Sequence, residues 1–443
     1  MTFVKRSERL SGWGRTSPVS MQTWTPAGPG PLASEQLPSS DVATIARGLG
    51  RSYGDAAQCD GGLAIDTTGC VGASWVERER GVLRVSAGTT IGDLIDRFVP
   101  KGWFVPVTPG TRSVTIGGAV AADIHGKNHH LHGSIGNHVL RIELRTADDV
   151  VRVISPTDDP SLFWATVGGM GLTGVIISAD IAMKPIPSAL VAVETSRFGD
   201  LRSLTDAMAA SDHEHDYSVA WVDLIGRQRS VLTQGSFAAA DSIDATAAGA
   251  WTQPGSRKVS LPPLPPVRLV SRPALRLLNE AWFRRAPANP TVTNESITAF
   301  FHPLDMVANW NQVYGPTGFV QWQCVVPDLD PLFDICDRFA ELPSFFSVLK
   351  RMGPESPAPL SFPLAGWTLT VDLPATTSVL AALHDFDGRV VAAGGRIYLA
   401  KDARMSRETF EASYPRLDEW KQVRHRIDPS RRWQSDLANR LGL

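Results

Sequence analysis

Cysteine is scarce in this chain: Cys59, Cys70, Cys324 and Cys336 are all it has among 443 residues. No two stand as C-x-x-C, so neither a zinc ribbon nor a disulfide framework is indicated, and reduced thiols are the default. Long apolar runs are missing too; none approaches the roughly 18 residues that a membrane span requires. Met1–Ser20 is polar, carries Lys5, Arg6, Arg9 and Arg15, and lacks the apolar core of a signal peptide. The reading is therefore synthesis in the cytoplasm, with any membrane or cell-envelope association peripheral. Net charge is nearly absent as well, at -2, so nothing attracts nucleic acid globally. What remains, 43% hydrophobic and 20% charged residues, is the composition of a globular protein. The length exceeds what one core usually supports, so two domains are expected.

From about residue 43 to 187 short strands and helices alternate. Leu83, Val85 and Ala87 alternate with Arg84 and Ser86, the period of a half-buried strand. Thr90 then caps a helix whose Ile91, Leu94, Ile95 and Phe98 share one face, stopped by Pro100 and Gly102. Ile142 and Leu144 alternate before the turn Ala147-Asp148-Asp149 and a second strand over 150–154, a hairpin pattern. Asp158-Asp159-Pro160 opens a short helix closed by Gly168-Gly169. Residues 189–395 mix strand-like runs (218–222, 319–326, 367–373) with a helix over 331–340. The proline-rich Leu261–Pro266 and the following Val267–Arg285 read as a long, mobile connection, because proline cannot donate to a ladder. The division expected is 1–187, 188–395 and a closing segment 396–443 that packs back on the first part.

Glycine and histidine carry the chemistry. The run Ala46-Arg47-Gly48-Leu49-Gly50-Arg51-Ser52-Tyr53-Gly54-Asp55 lets backbone N–H groups converge on an anion, with Arg47 and Arg51 as charged donors suited to a pyrophosphate. A plain glycine-rich surface turn competes with that reading; a Walker A loop does not, since no Gly-Lys-Ser/Thr follows. A second run, Pro109-Gly110-Thr111-Arg112-Ser113-Val114-Thr115-Ile116-Gly117-Gly118, reads as a strand end turning tightly past a ligand. It feeds into a segment holding His125, His129, His130, His132 and His138. Zinc is the rival there, but no H-E-x-x-H pattern with its general-base Glu is present, so no metal is assigned. One or two of these histidines are expected to face the ligand while the others satisfy buried carbonyls. A third run, Phe163–Ile176, brings Gly168, Gly169, Gly171 and Gly174 close to something flat, or else is a helix cap followed by a core strand.

In this order the three runs resemble the vanillyl-alcohol-oxidase-type (PCMH-type) FAD-binding family. Across nearly the whole chain the sequence is similar to the flavin subunits of decaprenylphosphoryl-β-D-ribose 2-epimerase. The strings that carry this are Leu10-Ser11-Gly12-Trp13-Gly14-Arg15, Asp123-Ile124-His125-Gly126-Lys127-Asn128-His129-His130, Phe301-His302-Pro303-Leu304-Asp305-Met306, Ala358-Pro359-Leu360-Ser361-Phe362-Pro363 and Ala400-Lys401-Asp402. The resemblance implies a two-domain α+β fold whose substrate domain is built on an antiparallel sheet. It implies oxidation of a polyprenyl-phosphate ribose at its 2-hydroxyl by FAD, with a separate NADH-using keto-reductase completing the epimerisation for cell-wall arabinan. A quinone or another acceptor would reoxidise the flavin.

The same resemblance implies roles. Lys401 and His125 fall at the catalytic positions, Lys401 as base or as a charged holder of sugar oxygens, His125 beside the flavin ring. Flavin contacts are implied for Ala46, Arg47, Gly48, Leu49, Gly50, Arg51, Ser52, Tyr53, Gly54, Gly110, Thr115, Ile116, Gly117, Gly118, Ala122, Asp123, Ile124, His125, Ile176 and Tyr398. Sugar contacts are implied for Lys127, Trp221, Gln321, Gln323, Lys350, Thr370 and Lys401. Members that tether FAD often place a histidine in the first glycine loop; Arg51-Ser52 stands here, so the flavin is expected to be noncovalent. Two departures from the family stand out. Thr370 replaces a cysteine of the Trp-x-x-Cys-Val-Asp strand, which removes the thiol for covalent inhibitors, and Phe301 replaces a tyrosine. An aldonolactone or alditol oxidase of the same fold, or a non-catalytic flavin-binding envelope subunit, are the competing functions. The basic, apolar stretch 267–285 either lies on an anionic bilayer or is an ordinary solvated helix with one apolar face.

Overall fold

The computed structural model describes residues 3–30, 42–226, 228–239, 251, 259–260, 272–308 and 310–443. The amino-terminal part carries two sheets. One has four strands in the order Phe3–Leu10, Val19–Pro26, Leu63–Asp66, Thr44–Arg47, its last three running parallel. The other is antiparallel, in the order Ala73–Glu77, Val82–Ser86, Val175–Ala182, Val139–Arg145, Val151–Ile154. The third sheet is larger and wholly antiparallel. Its eight strands run Thr291–Ser296, Leu190–Phe198, Ser230–Phe237, Tyr217–Val222, Ser347–Met352, Gly366–Pro374, Phe319–Val326 and Arg396–Ile397. The fold is α+β, two sheet systems with helices packed on them, as the resemblance implies.

Local sequence explains most elements. Thr90 and Asp93 close a reciprocal capping box on the helix Ile91–Phe98, whose Ile91, Leu94, Ile95 and Phe98 are buried. Pro100 falls in the single 3₁₀ turn that follows, and Gly102 ends it at φ 81°. Asp159 caps Pro160–Thr166, and Gly168 then reverses the chain at φ 72°. The strand Phe319–Val326 is buried at every position because it has helices on one face and the site on the other.

Two expectations are corrected. Thr115 does not end a strand: it is the N-cap of the helix Ile116–Ala121, its hydroxyl accepting from the Gly118 N–H. Gly117 and Gly118 are thus helical, and their lack of side chains serves close packing rather than a tight turn. Nor is Val267–Arg285 a loose connection throughout. Arg272–Arg285 is a helix docked through buried Leu275 and Asn279, the latter donating to Asp223 Oδ1 at 2.7 Å. Leu261–Pro266 lies outside the described residues, as do Val267 to Ser271.

The closing segment meets the amino-terminal part. Gln434 donates its backbone N–H to the Thr44 carbonyl, and Trp420 Nε1 donates to the Ala165 carbonyl. Yet Arg396–Ile397 first adds a strand beside Phe319–Val326, so the closing segment touches both sheet systems.

Candidate active site

A cavity of about 310 Å³ runs between the glycine-rich segments and the face of the eight-stranded sheet. Side chains alternate across a strand, so the register decides what the sheet offers. Gln321 stands opposite Asp372 and Gln323 opposite Thr370, while Val348 faces Thr370 and Lys350 faces Thr368 from the other side. Gln321, Gln323, Val348, Lys350 and Thr370 all line the cavity.

The opposite wall is main chain. A Cβ on Gly48 would lie 2.3 Å from Thr115 Oγ1, and one on Gly117 would lie 2.9 Å from the Ala87 Cβ, so only glycine permits this approach. Gly50 sits at φ 61°. Ala46, Leu49, Ser52, Tyr53, Gly110, Thr115, Gly118, Ala122, Ile124 and Ile176 complete that wall. Gly54 lies just behind it; a Cβ there would meet the Asp402 carbonyl at 1.9 Å, so the glycine loop packs hard against the turn that presents Lys401. The expected pyrophosphate donors divide. Arg47 lines the cavity, but its Nη1 and Nη2 donate to the carbonyls of Ala57 and Ser11, both at 2.7 Å, so this guanidinium holds the loop together. Arg51 lies 4.0 Å over the Trp13 ring, with a buried Nε that has no hydrogen-bond partner among the described residues.

At the sheet end His125 and Lys401 face the same space. His125 Nε2 is 3.0 Å from Gln323 Nε2, which also donates to Thr368 Oγ1 at 3.0 Å. An amide nitrogen only donates, so the imidazole Nε2 accepts and the ring proton is assigned to Nδ1, which is buried without a partner among the described residues. Burial, reinforced by Lys350, His129 and Lys401, holds His125 well below the ordinary histidine range, so the ring is neutral. Tyr398 stacks on Phe362 at 4.7 Å, donates to the Ala122 carbonyl at 2.9 Å, and sets the plane against which His125 packs. Lys401 Nζ lies 4.0 Å over the Tyr53 ring. Burial pulls its ammonium down, Asp372 opposes, and Lys350 adds to the depression. Lys350 is itself lowered to about 8 by burial.

Other expected residues are not on the cavity wall. Ile116 is core, at 1% exposure. Asp123 is buried at φ 39° and accepts from Ser134 Oγ, Ser361 Oγ and the Gly136 N–H, which ties three segments behind His125. Lys127 donates to the Phe300 carbonyl and lies 4.0 Å over the Phe300 ring. Trp221 packs in the sheet opposite Val348. Phe301, the other departure, is buried against Tyr217 at 4.7 Å. Of the remaining histidines, His130 and His138 reach the carbonyls of His215 and His132, whereas His129 Nδ1 accepts from the Gly353 N–H. The sequence reading missed Trp310, Phe346 and Asp305 on the wall. Asp305 accepts from Thr111 Oγ1 and the Arg112 N–H, both at 2.7 Å, pinning the His-Pro-Leu-Asp-Met turn to the glycine segment. Those contacts span 194 and 193 residues of sequence, and no local pattern announces them.

Residues 34–155 match the FAD binding domain family, and residues 376–441 match the D-arabinono-1,4-lactone oxidase family. The chain is 38% identical over 460 aligned residues to decaprenylphosphoryl-beta-D-ribose oxidase of Mycolicibacterium smegmatis, covering 100% of this chain and 99% of the relative. The chain belongs to the decaprenylphosphoryl-β-D-ribose oxidase family. An uncharacterised Streptomyces coelicolor protein is 37% identical over 80% of this chain and 100% of its own length. Cytokinin dehydrogenase 2 of Arabidopsis thaliana is similar over only 33% of the chain, at 27% identity. As a member of the oxidase family the protein is an FAD-dependent oxidoreductase. The cavity suits that cofactor: glycine main chain lies bare along one wall, and at the sheet end His125 Nδ1 is a buried donor with no partner among the described residues.

Proposed function

We propose that this enzyme oxidises the 2-hydroxyl of decaprenylphosphoryl-β-D-ribose to the 2-keto sugar. This is the first half of an epimerisation that yields an arabinose donor for cell-wall arabinan. FAD bound along the glycine wall supplies the two-electron acceptor for the hydride. The segments 46–54, 110–118, 122–125 and 176 would hold it, noncovalently, since no histidine stands at Arg51-Ser52. Lys401, when neutral, takes the hydroxyl proton on Nζ. Gln321 and Gln323 orient the sugar from the sheet floor beside Thr370. His125 Nδ1–H donates within the same space and stays neutral there. Lys350, whose ammonium burial lowers to about 8, would bring positive charge toward an anionic phosphate when protonated. The remaining partners of the reading are an NADH-dependent keto-reductase and a quinone or similar electron acceptor.

The observation that carries this reading is the convergence of His125, Lys401, Gln321 and Gln323 at one end of a cavity whose other end is bare backbone. Mixing purified protein anaerobically with farnesylphosphoryl ribofuranose should bleach the yellow flavin band, and Lys401→Ala should abolish bleaching on the wild-type timescale. No bleaching by wild type would end the proposal. Acid precipitation should leave the flavin in the supernatant. The match of 376–441 to lactone oxidases includes Lys401 but omits the strands bearing Gln321, Gln323 and Lys350. Reoxidation slow in air and fast with quinone would favour the dehydrogenase over that alternative.

Among the described residues no helix is long and apolar enough to cross a membrane. We infer a peripheral membrane contact through Arg272–Arg285, where Leu277, Leu278 and Trp282 are exposed beside Arg276, Arg284 and Arg285. It would place the enzyme at the cell envelope, where its lipid-linked substrate resides.

A further inference from the structure

Asp372 sits on the cavity face of the strand Gly366–Pro374, two residues beyond Thr370 and directly across from Gln321. It is 0% exposed. Gln321 Nε2 donates to its Oδ1 at 2.5 Å, while Oδ2 is buried with no hydrogen-bond partner among the described residues. Around this carboxylate stand Tyr53 from the glycine loop, Tyr314 from the turn Trp310–Tyr314 and Lys401 from the segment after Arg396–Ile397. Phe319 separates the two phenols, stacked on Tyr314 at 4.6 Å and edge-on to Tyr53 at 5.4 Å. Lys350 and His125 face Lys401 from the neighbouring strand and the histidine segment, and Arg51 and Asp305 face Tyr53.

A wholly buried carboxylate with one free oxygen is costly unless a cation compensates it. Among these neighbours Lys401 is the cation that acts on it. We propose that Asp372 is a positioning residue of the active site: it is the counter-carboxylate of Lys401, and through Gln321 it fixes the amide that the sheet presents to substrate. Burial raises the proton affinity of the carboxylate and lowers that of the amine, and their attraction opposes both. No ion pair within 4.0 Å joins them among the described residues, so the two groups are coupled through the field of one buried space, and each one's charge shifts the other's titration. Asp372 holds the ammonium form in readiness, and its charge sets the pH at which Lys401 becomes the neutral base. Gln321 Nε2 is thereby held by Asp372, the Tyr53 phenol lies against the same amide, and the two fix how the amide meets a sugar hydroxyl.

This inference rests on the assignment of Lys401 as base, and the test keeps the two apart. Flavin-loaded wild type and Asp372→Asn are titrated by competitive acetylation with limiting acetic anhydride, reading the Lys401 peptide by mass spectrometry; kcat/KM is followed over the same pH range. Removing the negative charge should lower the Lys401 midpoint by roughly one pH unit, move the acidic limb of kcat/KM down with it, and leave the Lys350 midpoint in place. Asp372→Glu should restore the wild-type midpoint. A Lys401 midpoint unmoved in Asp372→Asn overturns the proposal. A midpoint that moves while the kinetic limb stays supports Asp372 as the counter-charge and removes Lys401 as the base. Should the asparagine variant not fold, the wild-type Asp372 carboxyl ¹³C resonance decides: it must inflect at the Lys401 midpoint, and a flat trace there overturns the pairing.

Discussion

Lys401 shows how one side chain acquires a function from its surroundings. An exposed lysine amine keeps its proton to about pH 10.4, and a protonated amine accepts nothing. Here burial moves the balance down, with Asp372 opposing. The sign follows: the neutral base is lost as pH falls through the lowered value, so kcat/KM should decline about tenfold per pH unit below it. That limb should lie well below the ordinary 10.5 and vanish in Lys401→Ala, whose rate should drop by roughly 10²–10⁴ at pH 9. A limb that persists in the variant would assign it to another group. Thr370 supports a second residue-level prediction. It lines the cavity, while Cys59, Cys70, Cys324 and Cys336 are all buried and none stands on the wall. Cys324 is pushed up to about 12, which leaves negligible thiolate. Inhibitors that form a covalent thiol adduct at this strand position should leave none on the flavin-loaded protein by mass spectrometry, and Thr370→Cys should gain one.

At the scale of elements, the informative case is Arg272–Arg285. A basic helix that buries only Leu275 and Asn279 keeps most of its apolar side chains in solvent, Leu277 at 74% exposure. Each cationic residue near an anionic surface adds about 1 kcal/mol of attraction. Reversing Arg276, Arg284 and Arg285 to glutamate should therefore reduce co-sedimentation with phosphatidylglycerol vesicles by more than tenfold and leave flavin absorbance intact. Equal pelleting of both proteins would remove the membrane contact. The strand pair Phe319–Val326 and Gly366–Pro374 behaves differently, since the antiparallel register fixes Gln321 against Asp372 and Gln323 against Thr370. A slip of one residue would turn every one of these side chains to the helix face.

For the whole molecule, the division into 1–187, 188–395 and 396–443 remains a proposal, and the last segment offers its test. It contributes the strand Arg396–Ile397, the turn bearing Lys401, and Trp420 and Trp433, which are 0% and 1% exposed. Losing each buried tryptophan costs about 3–5 kcal/mol, against a total stability of about 5–15 kcal/mol. A chain ending at residue 395 should thus be insoluble or colourless, judged by the soluble fraction and its absorbance with added FAD. A soluble yellow product would show that the first two parts suffice for the cofactor.

Local chemistry was legible in the sequence wherever the cause is local. The Thr90 cap, the 139–154 hairpin and the alternating strands follow from spacing a few residues apart. Several residues of the glycine strings, Gly48, Gly50, Gly110, Gly117 and Gly118 among them, line the cavity, as do Ala400 and Lys401, which the family resemblance and not local chemistry singled out. Other decisions needed the tertiary structure. Arg47 carries a charge suited to phosphate, but only the fold brings the Ser11 and Ala57 carbonyls to it. Asp305 and Asp372 fall in strings that the resemblance marks, but that marking gives neither a role; long-range pairing brings Asp305 to Thr111 and Arg112 and sets Asp372 against Gln321. The reason is physical. Caps, turns and periodicity are set by neighbours in the chain, whereas desolvation and the identity of a charge's partner depend on which distant segments the fold packs around it.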